Sequence, residues 1–412
     1  MIKFEQYQLN NGLKVILHKD KTTPICAINV LYNVGARDEN PEKTGFAHLF
    51  EHLMFGGSKN IPCYDKPLQL VGGENNAFTN NDYTNYYITL PKNNIETGLW
   101  LESDRMLQLA FSKKSLNVQK NVVCEEFKQR YLNQPYGDVW LLLRPLAYNV
   151  HPYKWATIGK ELSHIENATL NDVKEFFYKF YRPNNAILTI AGDIDFDKTK
   201  KLVDKWFGNI PAGEKYVRNL EKEPVQSDSR MMVVAKDVPY DSIYKVYHMC
   251  DRLDKNYYAT DFLSDVLSNG DSSRLYQNLV KKGKIFSDIN AYISGSIEAG
   301  LFIFSGHLIE GVSMDEAEKA IKNEIEKINN GEIKDEELQK VKNKIETSYV
   351  FSEISVLDKA MNLAYYELLG DANMHNEEIK KYLSLNVDDI KKVSKKILTE
   401  ANSSTLYYHS KK

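Results

Sequence analysis

Two histidines and a glutamate share the short run His48-Leu49-Phe50-Glu51-His52. On a helix each residue turns the chain by about 100°. His48, Glu51, His52 and Phe55 then share one narrow face, and Leu49, Phe50, Leu53 and Met54 take the opposite side. Imidazoles at i and i+4 stand one above the other, so both can reach a single metal ion. The carboxylate beside them can serve as base for a water activated by that ion. Two neutral nitrogen ligands with a nearby base are what a zinc hydrolase requires.

A third group comes from a later segment. Residues 115–132 read as a helix ended by Pro135, with Leu116, Val118, Val122, Val123 and Phe127 marking an apolar face. Glu126 projects from the centre of that face, and Glu125 is turned about 100° away. A carboxylate in an apolar stripe is costly without a partner. That partner is either a metal, which makes Glu126 a third ligand, or Arg130 one turn on.

The elements that must position these groups follow from periodicity and turn residues. Residues 4–9 and 13–18 alternate around Asn10-Asn11-Gly12 and predict a hairpin. Residues 25–34 predict a third strand. A polar loop from Gly35 to Lys43 leads to Thr44, a helix cap for the motif helix, which runs to Phe55 and stops at Gly56-Gly57. Residues 83–90 predict a strand, 94–108 a helix, 171–180 a helix, 186–191 a strand and 196–207 a helix. Residues 211–228 lack apolar periodicity and read as a linker. Beyond it, strands at 231–235, 243–249, 285–294, 300–306 and 404–409 alternate with helical segments. Each half is strand-rich and then helix-rich, which suggests an internal duplication.

Bulk properties narrow the classes. The chain has 412 residues, 42% hydrophobic and 26% charged, with a formal net charge of −3. That is ordinary globular composition with no basic stripe, so nucleic acid is not an expected partner. The first residues hold no apolar core of signal length and no run approaches membrane-spanning length. The four cysteines (Cys26, Cys63, Cys124, Cys250) are scattered and form no C-x-x-C pair, which argues against a disulfide framework. A cytoplasmic protein without a membrane partner is the expectation. Gly270-Asp271-Ser272-Ser273-Arg274 lacks the ending of a phosphate loop and reads as a turn between helices.

The order H-x-x-E-H is the inverse of the common zinc-peptidase motif and marks inverzincins. With it, the sequence resembles the pitrilysin/insulinase family of zinc endopeptidases, and within it the short, processing-peptidase-like members of about this length. The resemblance covers the whole chain and is strongest over residues 10–195. In that family a glutamate on a later helix completes the zinc site; Glu126 lies 74 positions after His52 (126 − 52 = 74), in Asn121-Val122-Val123-Cys124-Glu125-Glu126, which looks like the third-ligand segment. Asn76-Ala77-Phe78-Thr79 and Thr84-Asn85-Tyr86-Tyr87 match the family too, and imply an edge strand, Asn76 to Thr79, that pairs with the backbone of a peptide substrate.

Two positions depart from the family pattern. Gln119 stands where many members carry a second glutamate. Active members also use an arginine and a tyrosine from the C-terminal half, or from a partner chain, to hold substrate. The matching stretch here, Leu279-Val280-Lys281-Lys282-Gly283-Lys284-Ile285-Phe286, contains neither.

The expected fold is therefore α+β: two homologous domains, each a mostly antiparallel sheet packed with helices. The expected boundaries are 1–210 for a metal-binding domain, 211–228 for a linker and 229–412 for a related domain without metal. The expected function is a zinc endopeptidase with one Zn2+ on His48, His52 and Glu126 and with Glu51 as base. The resemblance implies a dimer, preferably with a related chain that supplies the missing pair. A non-catalytic scaffold subunit of the same fold is the alternative, and a peptide-binding module a third.

Overall fold

The strand and helix signals become two sheets, each clothed by helices, in a computed structural model that describes residues 1–411. Asn10-Asn11-Gly12 turns strand β1 (Glu5–Gln8) back onto β2 (Lys14–Lys19). Gly12 has φ +87°, and a Cβ there would meet Asn184 at 2.7 Å, so only glycine fits the turn. The first sheet adds β3 (Ile25–Tyr32), β4 (Glu74–Thr79), β5 (Thr84–Pro91) and β6 (Ala186–Gly192), in the order β1-β2-β6-β3-β5-β4. Strand β6 is buried throughout, as its mostly apolar run, broken only by Thr189, requires. One face of the sheet packs on helices that include Ile95–Leu107, where Gly98 lets the helix come down onto Ile28 and Leu90.

The opposite face is covered from far along the chain. Helix Val356–Leu369 lays Val356, Ala360, Leu363 and Ala364 on Ala27, Ala191, Ile16, Leu31 and Ile187. Their spacing of 4, 3 and 1 is one stripe of a helix. Each fully buried large apolar side chain there contributes about 1.5–3 kcal/mol. Ion pairs fix the helix: Lys359 to Asp20 at 2.6 Å and Lys14 to Glu367 at 2.5 Å, with Asp20 and Glu367 both buried.

The second sheet holds β7 (Arg230–Lys236), β8 (Ser242–His248), β9 (Phe286–Ile293), β10 (Leu301–Leu308) and β11 (Ser403–Ser410), in the order β7-β11-β8-β10-β9. With β1 set aside, both sheets have the same connectivity. Counting strands in chain order, each reads 1-5-2-4-3. Each has a single parallel pair, between strands 1 and 5. This shared topology is the structural form of the duplication, and the α+β class of two related domains is what the molecule has.

Helix Val139–Ala147 buries Val139, Leu143 and Ala147 against Val246, Leu301, Ile303, Leu406 and Tyr408 on one face of the second sheet. Each sheet thus receives a helix from the other half of the chain. The compact units are consequently interleaved: 1–129, 155–220 and 350–376 form one, and 130–154, 221–349 and 377–412 the other. They do not follow the contiguous division at 210 and 229, because the apolar stripes of two helices are satisfied only on the sheet encoded by the opposite half.

Residues 211–228, expected as a linker, carry no helix or strand and are tied down. Arg218 pairs with Asp38 at 2.7 Å, and Glu223 accepts N–H bonds from Asn149, Val150 and His151 at 2.8–2.9 Å. No helix among the described residues is long and apolar enough to cross a membrane.

Candidate metal centre

The motif helix spans Phe46–Leu53, ending two residues before the expected Phe55, and buries Phe46, Ala47, Leu49, Phe50 and Leu53. Phe50 stacks on Phe176 and Tyr181 with ring centroids 4.8 and 5.0 Å apart, and Tyr86 donates its hydroxyl to the Phe50 carbonyl at 3.3 Å. Burial keeps the Tyr86 and Tyr181 phenols protonated, and the nearby charge of Glu51 adds to that effect. The apolar side of the helix is thus locked, which fixes the rotation of the polar side.

Thr44 is not the cap. It is fully buried, its hydroxyl contacts His164 Nδ1 at 2.9 Å and accepts the Lys160 N–H at 2.8 Å. Gly45 occupies the cap position with φ +88° and has no side chain to offer. The helix start is met instead by Glu39. Its Oε2 accepts the Gly45 N–H and its Oε1 the Ala47 N–H, both at 2.8 Å. Burial pushes the Glu39 carboxyl up to about 8 against the lowering effect of these two bonds, and neighbouring Asp38 adds to the rise.

The loop read as merely polar therefore contains three consecutive buried charges, Arg37, Asp38 and Glu39. Arg37 pairs with Asp82 at 2.8 Å and Asp38 with Arg218. The available signal was three consecutive charged residues, six positions ahead of the glycine that caps the helix.

The carboxylate comes from helix Lys113–Phe127, capped by Ser112, whose hydroxyl accepts the Ser115 N–H at 3.0 Å. Its buried residues are Leu116, Val123, Cys124 and Phe127. Val118 and Val122, expected on that face, are 49% and 43% exposed. They lie roughly 180° and 140° from the centre of the buried stripe at ~100° per residue. With those two outside it, Glu126 stands at the edge of the stripe rather than its centre. The α-helix also ends before 132, since Lys128–Leu132 is a wider π turn.

These two helices are in contact and bring three of the expected side chains together. Glu126 Oε2 lies 3.6 Å from His48 Nε2 and 3.4 Å from His52 Nε2. The imidazoles stand 4.9 Å apart, nearly perpendicular. One donor atom from each of the three lies within 4.8 Å of the others, the only such group of histidine, cysteine or acidic side chains among the described residues. Side-chain exposures of 12%, 24% and 18% leave the site shielded yet open on one side. Glu125, by contrast, is 61% exposed and pairs with Lys128 at 2.8 Å. Glu51 is half-buried, one residue before His52.

Strand β4, the edge of its sheet, carries Asn76, Ala77, Phe78 and Thr79 and pairs only with β5; the motif helix touches it. Asn76 is exposed and the other three are half-buried. Gln119 is half-buried on the carboxylate helix. In the second unit, Leu279 and Phe286 are core residues and Val280 packs on that core. A cavity of about 660 Å³ in that unit is lined by Lys245, Tyr247, Glu318 and Glu400. Lys245 is held there between the two carboxylates, and the lining lacks a metal-type donor set.

Known proteins align with this chain along both halves. Residues 14–146 match the family model described as insulinase (peptidase family M16), and residues 167–345 match the one described as peptidase M16 inactive domain. The zinc protease PqqE of Helicobacter pylori is 31% identical, with 98% of this chain and 92% of that protein covered. The crystal structure of a protease from Helicobacter pylori superposes with a TM-score of 0.94 at 31% identity, over 99% of this chain and 100% of the other. The periplasmic protease PqqL from Escherichia coli shares the fold, with a TM-score of 0.81 at 18% identity, and the match covers 98% of this chain but 47% of that one. With both halves matched by models of one family and nearly the full length shared with a zinc protease, the chain belongs to peptidase family M16, the insulinase family.

Proposed function

We propose that this chain is a zinc-dependent endopeptidase in which His48, His52 and Glu126 hold one zinc ion and Glu51 is the general base. One observation carries the reading. Two imidazoles from one helix and a carboxylate from another converge within 4.8 Å. The donor set fits the ion, because two imidazole nitrogens and one carboxylate oxygen are zinc ligands, and three protein ligands are the usual number at a catalytic site. When bound, zinc supplies an acidified water and a polarised carbonyl.

The chain's own residues do the rest. Glu51 stands beside His52 on the polar face, takes the proton of the attacking water, and delivers it to the amine as the peptide C–N bond breaks. The free edge of β4 holds an extended peptide through main-chain hydrogen bonds along Asn76 to Thr79. The substrate class is unfolded peptide. The arginine/tyrosine pair absent from Leu279–Phe286 comes from a second, related chain. The four cysteines are free thiols, in keeping with a reducing, cytoplasmic compartment.

Metal analysis of natively purified protein, paired with a fluorogenic-peptide assay, tests this. Wild type carries about one zinc per chain and cleaves the peptide. Glu51→Gln keeps the zinc and loses roughly 10²- to 10⁴-fold in cleavage, the usual contribution of a general base. Wild-type protein that lacks stoichiometric zinc sinks the proposal.

A further inference from the structure

The structure assigns a second role near this centre. We propose that Glu39 is its positioning residue: its buried carboxylate, bonded to two amides at the start of the motif helix, sets where His48 and His52 stand relative to Glu126. The inference rests on the zinc reading above.

The motif helix cannot cap itself. Gly45 holds φ +88°, and a Cβ there would meet the Ile158 carbonyl oxygen at 2.6 Å, so the cap position excludes every residue with a capping side chain. The orphan N–H groups of the first turn must be satisfied from elsewhere. Glu39 takes two of them, at Gly45 and Ala47, and Ala47 is covalently joined to His48. Both of its carboxyl oxygens act as acceptors there, one for each amide.

An ordinary cap sits on the helix's own flank and moves with it. Glu39 does not. Its loop is bonded to the turn between β4 and β5: Ala36 N–H to Asn80 O at 3.1 Å, Arg37 N–H to Asn81 O at 2.9 Å, and Arg37 to Asp82. The Trp155 indole N–H donates to the Ala36 carbonyl at 2.9 Å and closes the loop from the other side. A carboxylate anchored to the sheet therefore grips the first turn of the ligand helix. The pitch of that turn, and the gap from His48 to Glu126, follow from where Glu39 is held.

Glu39→Gln replaces one acceptor oxygen by a donor that faces an amide N–H. Chelator competition should show zinc affinity reduced about 10- to 100-fold, the usual effect of losing an outer partner of a metal site. Peptide kcat should fall while KM stays near the wild-type value. Asp20→Asn is the control. It loosens the same compact unit without touching the motif helix, and should lower the melting temperature while zinc affinity stays unchanged. Should the Gln variant fail to fold, Glu39→Asp keeps the carboxyl group, withdraws it by one methylene, and is read by the same titration. A folded Glu39 variant with wild-type zinc affinity overturns this inference alone. Wild-type protein that takes up no zinc overturns the function reading and this inference with it.

Discussion

Glu125 and Glu126 are adjacent and chemically identical, yet the fold separates them completely. Glu126 stands 3.4 and 3.6 Å from the two imidazoles, and Glu125 points outward to Lys128. Glu126→Gln should therefore weaken zinc binding by at least the 10- to 100-fold that even an outer-shell loss costs. Glu125→Gln should leave zinc binding within about twofold of wild type, since an exposed pair contributes little. Equal effects in a chelator titration would show that the wrong carboxylate has been chosen. His48, Glu51 and His52 were legible from spacing alone, because a helix converts i and i+4 into one face whatever surrounds it. Glu126 was legible in identity but not in setting: Val118 and Val122 turned out exposed, which a list of apolar residues cannot reveal. Glu39 was not legible, because its burial depends on Asn80, Asn81 and Trp155, which are remote in sequence.

At the scale of elements, most strands were readable from alternation and turn residues. Helix Val139–Ala147 was not. Its continuous apolar run and internal Pro145 hide the periodicity that marks a helix. Helix Met374–Leu383 is largely polar and gave little signal. Helix Val356–Leu369 was readable as a helix, but its destination was not, since an apolar stripe fits any sheet. The Asp20–Lys359 pair that pins it makes a pH-dependent prediction. Burial alone would raise the Asp20 carboxyl, but the hydrogen bonds from Lys359 and Thr22 outweigh it and hold the group well below its usual range. Stability from a carboxyl lowered by folding is present above its unfolded pKa, about 3.9, and is lost as pH falls through the folded value. Asp20→Asn should cost about 3 kcal/mol at pH 7, as breaking a buried pair does. The gap to wild type should narrow below about pH 4. Urea melts at pH 7 and pH 3 measure both, and a gap independent of pH would mean the pair contributes nothing through charge.

At the scale of the whole molecule, the described residues hold one metal-type cluster and two sheets that share their connectivity once β1 is set aside. It corresponds in length to 47% of the PqqL chain it superposes on. A chain without the arginine/tyrosine pair in Leu279–Phe286 should cleave peptides poorly by itself and gain activity when mixed with a related chain that carries the pair. Sedimentation alongside the peptide assay reads both. Full activity in a purified homodimer would show that the missing pair is not needed or has been sought in the wrong place.

A ribosome delivers this protein from one end, and the two sheets meet that schedule differently. The first sheet has all its strands once Gly192 is made, yet the face carrying Ala27, Leu31 and Ala191 has no cover until Val356–Leu369 has emerged. For the time it takes to synthesise more than a third of the chain, a finished apolar surface stands open to every other nascent protein in the cell. The second sheet has the reverse order: its covering helix, Val139–Ala147, is made first and waits, and its sheet is completed only by β11 at Ser403–Ser410. The first sheet is not covered before Leu369 and the second is not complete before Ser410, so protection of the open face during translation, and not only the final stability of the fold, bears on the yield of folded protein.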